Sequence, residues 1–420
     1  MTGSPEKLER RGGGWMDVSL WQRHVAGVLG VYLAAYLLID TGAIKYTFLL
    51  TPDNNLNVAE ARAWLDGRLD LAVDRPDGKR PWDSALFEGK VYNVFPPAFT
   101  MIAAGVMKAV PDGVPSIVLI LLVVPLPGLA YLVFWRRVRR VGLAVLISIG
   151  YLLGTSLLPV ANHALRNGEV WLVNHLLSQV GLLVFLADFF GRRRIWLGGL
   201  GLILAAWSRQ LTGAYLIGLV YVAVAAYRVE GKKAGLVWAG LVGVVLVAVP
   251  ATLNAMKFHS PVESGYRYIY EGRWDDPSDA FAQRAGRGLF SPAFVPRNVY
   301  YMNLGLPVPD EPWWLLRFTP NTECTGIWWT TPLLLWVWVD WRRVWGQVEL
   351  RWLLVPVGLV YAALMLFHTT GADQLGYNRF SLDFVPVLLA VVAPGWADQK
   401  RRGVALGLVL WSVWYFRWAI

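Results

Sequence analysis

What most constrains this chain is a series of apolar runs, each near the length of a bilayer crossing, repeated from residue 25 to the C-terminus. A crossing helix needs about 20 residues, and lipid offers backbone N–H and C=O groups no partner, so helices are the reading these runs allow. The short alternating segments of a strand-built barrel are not visible. Charged residues are 16% of 420, below the roughly 25% usual in soluble domains. The expected fold class is therefore an all-α polytopic membrane protein.

Basic residues punctuate the runs. They group as Lys7/Arg10/Arg11/Arg23, Arg136/Arg137/Arg139/Arg140, Arg192/Arg193/Arg194, Arg228/Lys232/Lys233, Arg342/Arg343/Arg351 and Lys400/Arg401/Arg402. Such clusters face the cytoplasm, so an even number of crossings must separate neighbours. Runs 141–160 with 172–190, 195–208 with 211–227, 234–254 with 325–340, and 352–368 with 380–396 satisfy this in pairs. A last run, 403–420, leaves the C-terminus outside. The first interval holds three runs, 25–44, 97–110 and 116–135. The middle one starts at Pro97 and is too short, at about 1.5 Å per residue, to cross a core of about 30 Å. It reads as a re-entrant or interfacial helix. About eleven spans are expected, in one transmembrane domain over 25–420 behind a cytoplasmic tail over 1–24. External loops are expected over 45–115 and 255–324. The first run is too long for a signal-peptide core and reads as a retained span.

The clusters account for the net charge of +10, and no basic stripe with interleaved aromatics suggests nucleic acid as a partner. The 23 Trp and 17 Tyr suit two membrane interfaces. Cys324 is the sole cysteine, so no intramolecular disulfide forms. It is expected near the outer membrane surface, within reach of a thiol reagent. The five His show no zinc-ligand spacing.

Candidates for chemistry gather in the external segments. Asp53 lies just beyond the first span and, as an Asp before a helix, reads first as an N-cap. Val58, Ala61 and Leu65 can share one face of a short amphipathic helix lying on the membrane. Glu60 and Asp83 occupy the same loop. Glu88-Gly89-Lys90 reads as a turn between short extended pieces, and Pro97 as a helix opener. In the later loop Tyr266, Tyr268, Tyr270, Trp274, Tyr300, Tyr301, Trp313 and Trp314 suit sugar rings, and equally an interface belt. Asp275-Asp276 reads more readily as a solvated turn than as metal ligands. Arg209 interrupts the apolar stretch 195–227, which is costly away from an interface or water-filled cavity. Arg379 precedes the run 380–396. It is placed to bind phosphate, or to pair with Asp383 at i,i+4.

The order of these pieces carries a resemblance. An apolar first span is followed by Asp53, an Ala-rich helix ending in Asp66-Gly67-Arg68-Leu69-Asp70-Leu71, and Phe87-Glu88-Gly89-Lys90-Val91-Tyr92 leading to Phe95-Pro96-Pro97. Phe258-His259-Ser260-Pro261 with Gly265-Tyr266 follows, then Gly376-Tyr377-Asn378-Arg379-Phe380 with Pro386. The chain resembles the GT-C superfamily of membrane glycosyltransferases. The likeness is greatest to bacterial members akin to protein mannosyltransferases and to lipid A aminoarabinose transferase. The resemblance implies a polyprenyl-phosphate sugar donor and a lipid, glycan or protein acceptor. It implies an outward-facing site in a membrane such as the bacterial inner membrane. Asp53 matches the family's first-loop carboxylate, with Asp83 and Glu60 in reserve. Arg379, whose flanking residues match the family, and Arg209, at the external end of a broken span, are the expected donor-phosphate ligands, and Tyr92, Pro96, Pro97, Tyr266 and Tyr377 the expected substrate-binding residues. Three positions depart: Asn54 where many relatives carry an acid, Phe95 before the two prolines, and His259 where Gly is usual. No resident metal is assigned; Mg or Mn stays open as a cofactor. Membrane lipids are the remaining partners.

The alternative is a transporter or lipid flippase, since broken helices and intramembrane charge mark those too. That reading requires an internal inverted repeat, which is not visible. Here most polar residues lie at the outer ends of spans or in the loops. A family member that binds a glycolipid without turnover is the third reading.

Overall fold

The computed structural model describes residues 18–38, 48–72, 81, 83–231, 233–270, 286–309, 318–319, 323–371, 374 and 376–419. The described residues are mostly helical: α1 (Val18–Leu38), α2 (Leu56–Leu65), α3 (Ala98–Met107), α4 (Ile117–Val123) and α5 (Pro125–Val138) come first. Next come α6 (Val141–Leu153), α7 (Leu157–Asn167), α8 (Val170–Phe189), α9 (Ile195–Ala206), α10 (Leu216–Glu230) and α11 (Ala234–Phe258). Beyond the short helices and strands described between 267 and 346 follow α12 (Val348–Leu366), α13 (Val385–Val392) and α14 (Gln399–Trp414). The strands, two or three residues each, form three antiparallel pairs: Leu49–Leu50 with Val114–Pro115, Ala85–Phe87 with Lys90–Tyr92, and Val308–Pro309 with Phe318–Thr319.

Five helical stretches are long and apolar enough to cross a membrane: Ile117–Val138, Val170–Phe189, Gln210–Glu230, Ala234–Phe258 and Val348–Leu366. The pair α6–α7 makes a sixth if its two halves, bent by 53°, form one span. This is an all-α architecture of the kind membranes impose. Three expected runs are not single straight helices, and a proline stands in the first turn after the break in each. The run 141–160 breaks at 154–156, after Gly154 caps α6, and Pro159 stands in the first turn of α7. Pro332 follows a break after Ile327–Thr330 and opens a 3-10 turn. Pro386 and Pro394 sit in the first turns of two successive segments, α13 and a 3-10 turn over Ala393–Ala397.

The segment 97–110 is a 10-residue helix, α3, packed against α2. At about 15 Å it is half a bilayer core in length. α2 does not lie free on a lipid surface as expected: Leu56, Asn57, Val58, Glu60, Ala61 and Ala63 are buried. Its N-cap is Asn55, whose side chain accepts from the Asn57 and Val58 amides, not Asp53.

α8 is the central helix, with 83% of its apolar window buried, whereas α11 is peripheral, with 11% buried. α8 and α9 approach closely because glycines meet at their contact. A Cβ on Gly181 would stand 2.5 Å from the Ala205 amide nitrogen, and one on Gly201 2.9 Å from that of Phe185. Small residues at such a crossing let helix backbones pack by dispersion where water supplies no drive.

Four of the basic clusters converge on one end of the bundle. Arg137 Nε donates to the Ala390 carbonyl at 3.1 Å, and Arg140 Nη1 to that of Ala397 at 2.6 Å. Arg136 donates to the Ala187 carbonyl. Arg193 pairs with Glu349 at 2.6 Å, while Asp340 holds Arg343 at 2.7 Å and Arg401 at 3.0 Å. Cations here meet helix C-terminal carbonyls, which also carry the negative end of the helix dipole. α5, α8 and α13 therefore end at this basic end, and α12 and α14 begin at it.

Candidate functional site

The opposite ends of the same elements enclose a cavity. It is lined by Phe95, Pro96, Trp171, Asn174, Arg209, Tyr266, Phe290, Phe367 and Phe380 among others. Its volume is about 120 Å³. Trp171 and Asn174 stand in the first turns of α8, whose other end, about 30 Å away by helix rise, meets the basic clusters. Arg209 follows the end of α9. Arg379 opens a 3-10 turn over Arg379–Asp383, ahead of α13. Leu364 and Phe367 close α12.

Two arginines stand in different states: Arg209 lines the cavity, and Arg379 stacks on two of its rings, Trp171 and Phe380. Arg209 makes a two-pronged pair with Asp383, Nε to Oδ1 at 3.2 Å and Nη2 to Oδ2 at 2.8 Å. The Asp383 carboxylate is fully buried, and its backbone carbonyl accepts from the Tyr215 hydroxyl at 2.9 Å. Arg379 stands apart from this pair, so the i,i+4 partnership with Asp383 suggested by spacing does not form. Its guanidinium lies 4.0 Å from the Trp171 ring centre and 5.3 Å from that of Phe380. Among the described residues, no carboxylate lies within ion-pair distance of it. A guanidinium held on aromatic faces, with no carboxylate among the described residues in direct ion-pair contact, keeps its planar fork free for an anion.

Asp83 is half-buried, and its charge acts on both Arg379 and Tyr266. Its φ of +62° is the left-handed region that Asp tolerates better than most residues. Burial pushes the Tyr266 phenol up to about 12, so it stays a neutral donor at the cavity wall. Asp53 is exposed and does not line the cavity. Glu60 is buried and committed elsewhere: it pairs with Lys257 and accepts from Asn93 Nδ2 and Thr100 Oγ1, each at 2.8 Å. That network ties α2, α3 and α11 to the segment leading into Phe95 and Pro96.

Of the remaining sequence candidates, Pro96 and Tyr266 line the cavity, and Pro97 lines a smaller one beside Lys257. Tyr92 is buried against Phe258, ring centres 5.5 Å apart, in a separate apolar cluster. Tyr377 is buried, its hydroxyl 3.5 Å from His163 Nδ1. The hairpin turn at Glu88-Gly89 forms as expected, both residues at positive φ, as a two-residue hairpin requires. Cys324 is fully buried, which corrects the expected surface thiol and pushes its pKa up. Asp275-Asp276, Trp274, Trp313 and Trp314 fall outside the described residues.

Sequence reasoning missed Trp171, Asn174, Phe367 and Lys257. A signal existed for two of them. Lys257 is a lone cation in the last turn of an apolar helix and demands a carboxylate. Asn174, His175, Ser178 and Gln179 are a polar run in an otherwise apolar span. Among the described residues, no group of three or more His, Cys, Asp or Glu side chains forms a metal site. No family model, characterised protein or solved structure matches the chain.

Proposed function

We propose that the chain is a membrane glycosyltransferase that moves a sugar from a polyprenyl-phosphate donor to a lipid, glycan or protein acceptor at the outer membrane face. In this reading the basic end is cytoplasmic. The chain then crosses eleven times: α1, α4–α5, α6–α7, α8, α9, α10, α11, the turns over 327–339, α12, the segment 379–397, and α14. The cavity opens on the outer side.

The observation that carries the reading is Arg379, stacked on Trp171 and Phe380, two rings that line a cavity with aromatic and aliphatic walls. A lipid-phosphate sugar has three parts, and each meets a matching surface. The phosphate meets Arg379. The sugar meets Phe95, Tyr266 and Trp171. The prenyl tail follows Leu289, Phe290, Leu364 and Phe367 toward the bilayer. In the reaction the acceptor oxygen bonds to the anomeric carbon as the bond from that carbon to the phosphate oxygen breaks. The acceptor proton passes to a carboxylate, and polyprenyl phosphate leaves. Asp83 is the carboxylate assigned this role, because it lies by Arg379 and Tyr266 while Asp53 is exposed and Glu60 is bound to Lys257. A positioned base contributes about 10²–10⁴-fold. Arg379 meets the charge that gathers on the leaving phosphate.

The test is to incubate purified protein in nanodiscs with radiolabelled polyprenyl-phosphate mannose, glucose and arabinose, plus membrane extract as acceptor source. Release of polyprenyl phosphate from at least one donor is expected. No release from any would overturn the reading. The bent α6–α7 pair is the one observation that favours lipid translocation instead; intact donor moved across a liposome bilayer would establish that.

A further inference from the structure

Beneath the cavity runs a chain of side-chain amides whose polarity is set from one end. Glu60, paired with Lys257, is a carboxylate and only accepts. Asn93 must therefore turn its Nδ2 toward Glu60, and its Oδ1 accepts from the Phe95 amide at 3.0 Å. The same Nδ2 reaches Asn57 Oδ1 at 3.0 Å. Asn57 is left to donate through its own Nδ2, which reaches Asn174 Oδ1 at 3.4 Å. Asn174 thus has its acceptor engaged and its donor fixed in orientation. That Nδ2 is buried at the cavity wall and has no hydrogen-bond partner among the described residues. Buried donors are rarely left so, and a ligand oxygen is what satisfies them at a binding site.

Asn174 lies three residues after Trp171 on α8, so both share one helix face. It stands one turn, about 5 Å, along the helix from the ring that carries Arg379. A group held by Asn174 is therefore next to a group held by Arg379. Arg379 supplies the cation a phosphate needs; a neutral amide donor suits a neutral oxygen.

We infer that Asn174 recognises an oxygen of the donor's sugar ring, in an orientation set by the Glu60–Asn93–Asn57 relay. The inference rests on the glycosyltransferase reading. Binding to wild-type protein in nanodiscs is measured for bare polyprenyl phosphate and for polyprenyl-phosphate mannose, glucose and arabinose. At least one sugar-bearing lipid should bind about tenfold tighter than the bare one, the worth of a good hydrogen bond. Asn174→Ala should abolish that preference and leave bare-lipid affinity within about twofold. Asn174→Asp keeps the size and the contact to Asn57 but has no donor. It decides the matter if the Ala variant also loses bare-lipid binding: lost sugar preference supports the inference, retained preference overturns it. Wild-type protein that binds bare lipid but prefers no sugar overturns this inference alone. Wild-type protein that binds no lipid phosphate overturns the proposed function as well.

Discussion

At the scale of single residues, three carboxylates compete for one role and their surroundings separate them. Asp83→Asn should lower turnover by about 10²–10⁴-fold, since the amide keeps the shape but takes no proton. Asp53→Asn should leave turnover within a few-fold, since Asn55 supplies the cap of α2 and Asp53 is exposed. Release of polyprenyl phosphate checks both, and a dead Asp53→Asn beside an active Asp83→Asn would reverse the assignment. Arg379→Ala should weaken binding of polyprenyl phosphate. Arg379→Lys should recover only part, because an ammonium lacks the planar fork that pairs with phosphate and stacks on Trp171. Equal affinity in wild-type and Arg379→Ala protein would remove this residue from the site. The sequence singled out Arg209, which lines the cavity, and Arg379, which stacks on the cavity ring Trp171. It could not show that Asp383 belongs to Arg209, 174 residues away, and not to its near neighbour Arg379. Local spacing finds i,i+4 partners; it is blind to pairs made by the return of a distant helix.

At the scale of elements, the ion pair Lys257–Glu60 joins the outer segment to α11, and both side chains are buried. Removing one partner strands a charge in the interior, at about 3–5 kcal/mol. Glu60→Gln and Lys257→Met should each lower the thermal unfolding temperature sharply. The double variant should recover most of the loss, because an uncharged, well-packed pair is often as stable as the ion pair it replaces. Losses in the double variant equal to the sum of the single ones would show that the two side chains act independently. The long apolar helices α8, α11 and α12 were legible from length and composition, and the hairpin at Glu88-Gly89 from its turn residues. The bend between α6 and α7 was not, although Pro159 stands in the sequence, because apolarity continues unbroken through Leu157 and Leu158 while the backbone turns. The burial of α2 was also hidden. Its Val58, Ala61 and Leu65 stripe suggests one apolar face, but its polar Asn57 and Glu60 are buried too, satisfied by Asn93, Thr100 and Lys257.

At the scale of the whole molecule, everything functional rests on which end of the bundle faces the cytoplasm. The convergence of Arg137, Arg140, Arg193, Arg343 and Arg401 on one end makes that a single question, and in the reading proposed above the positive-inside rule puts this end in the cytoplasm. Exposed tryptophans beside this end, Trp338, Trp341 and Trp345, suit the belt where a bilayer meets water. The wild-type chain provides its own silent background for a test, because its sole thiol, Cys324, is fully buried. Two exposed valines then report on the two ends. Val262 follows α11 on the cavity side and is 89% exposed; Val229 lies at the end of α10 beside Arg228 and is 85% exposed. On intact cells a membrane-impermeant maleimide should label Val262→Cys and spare Val229→Cys. After the membrane is opened both should react, while wild-type protein stays unlabelled. Labelling of Val229→Cys alone on intact cells would invert the bundle and turn the cavity to the cytoplasm, where an outward-facing transferase could not use it. Labelling of both would mean that the two ends lie on the same side, and the parity that orders the helices would fail with it.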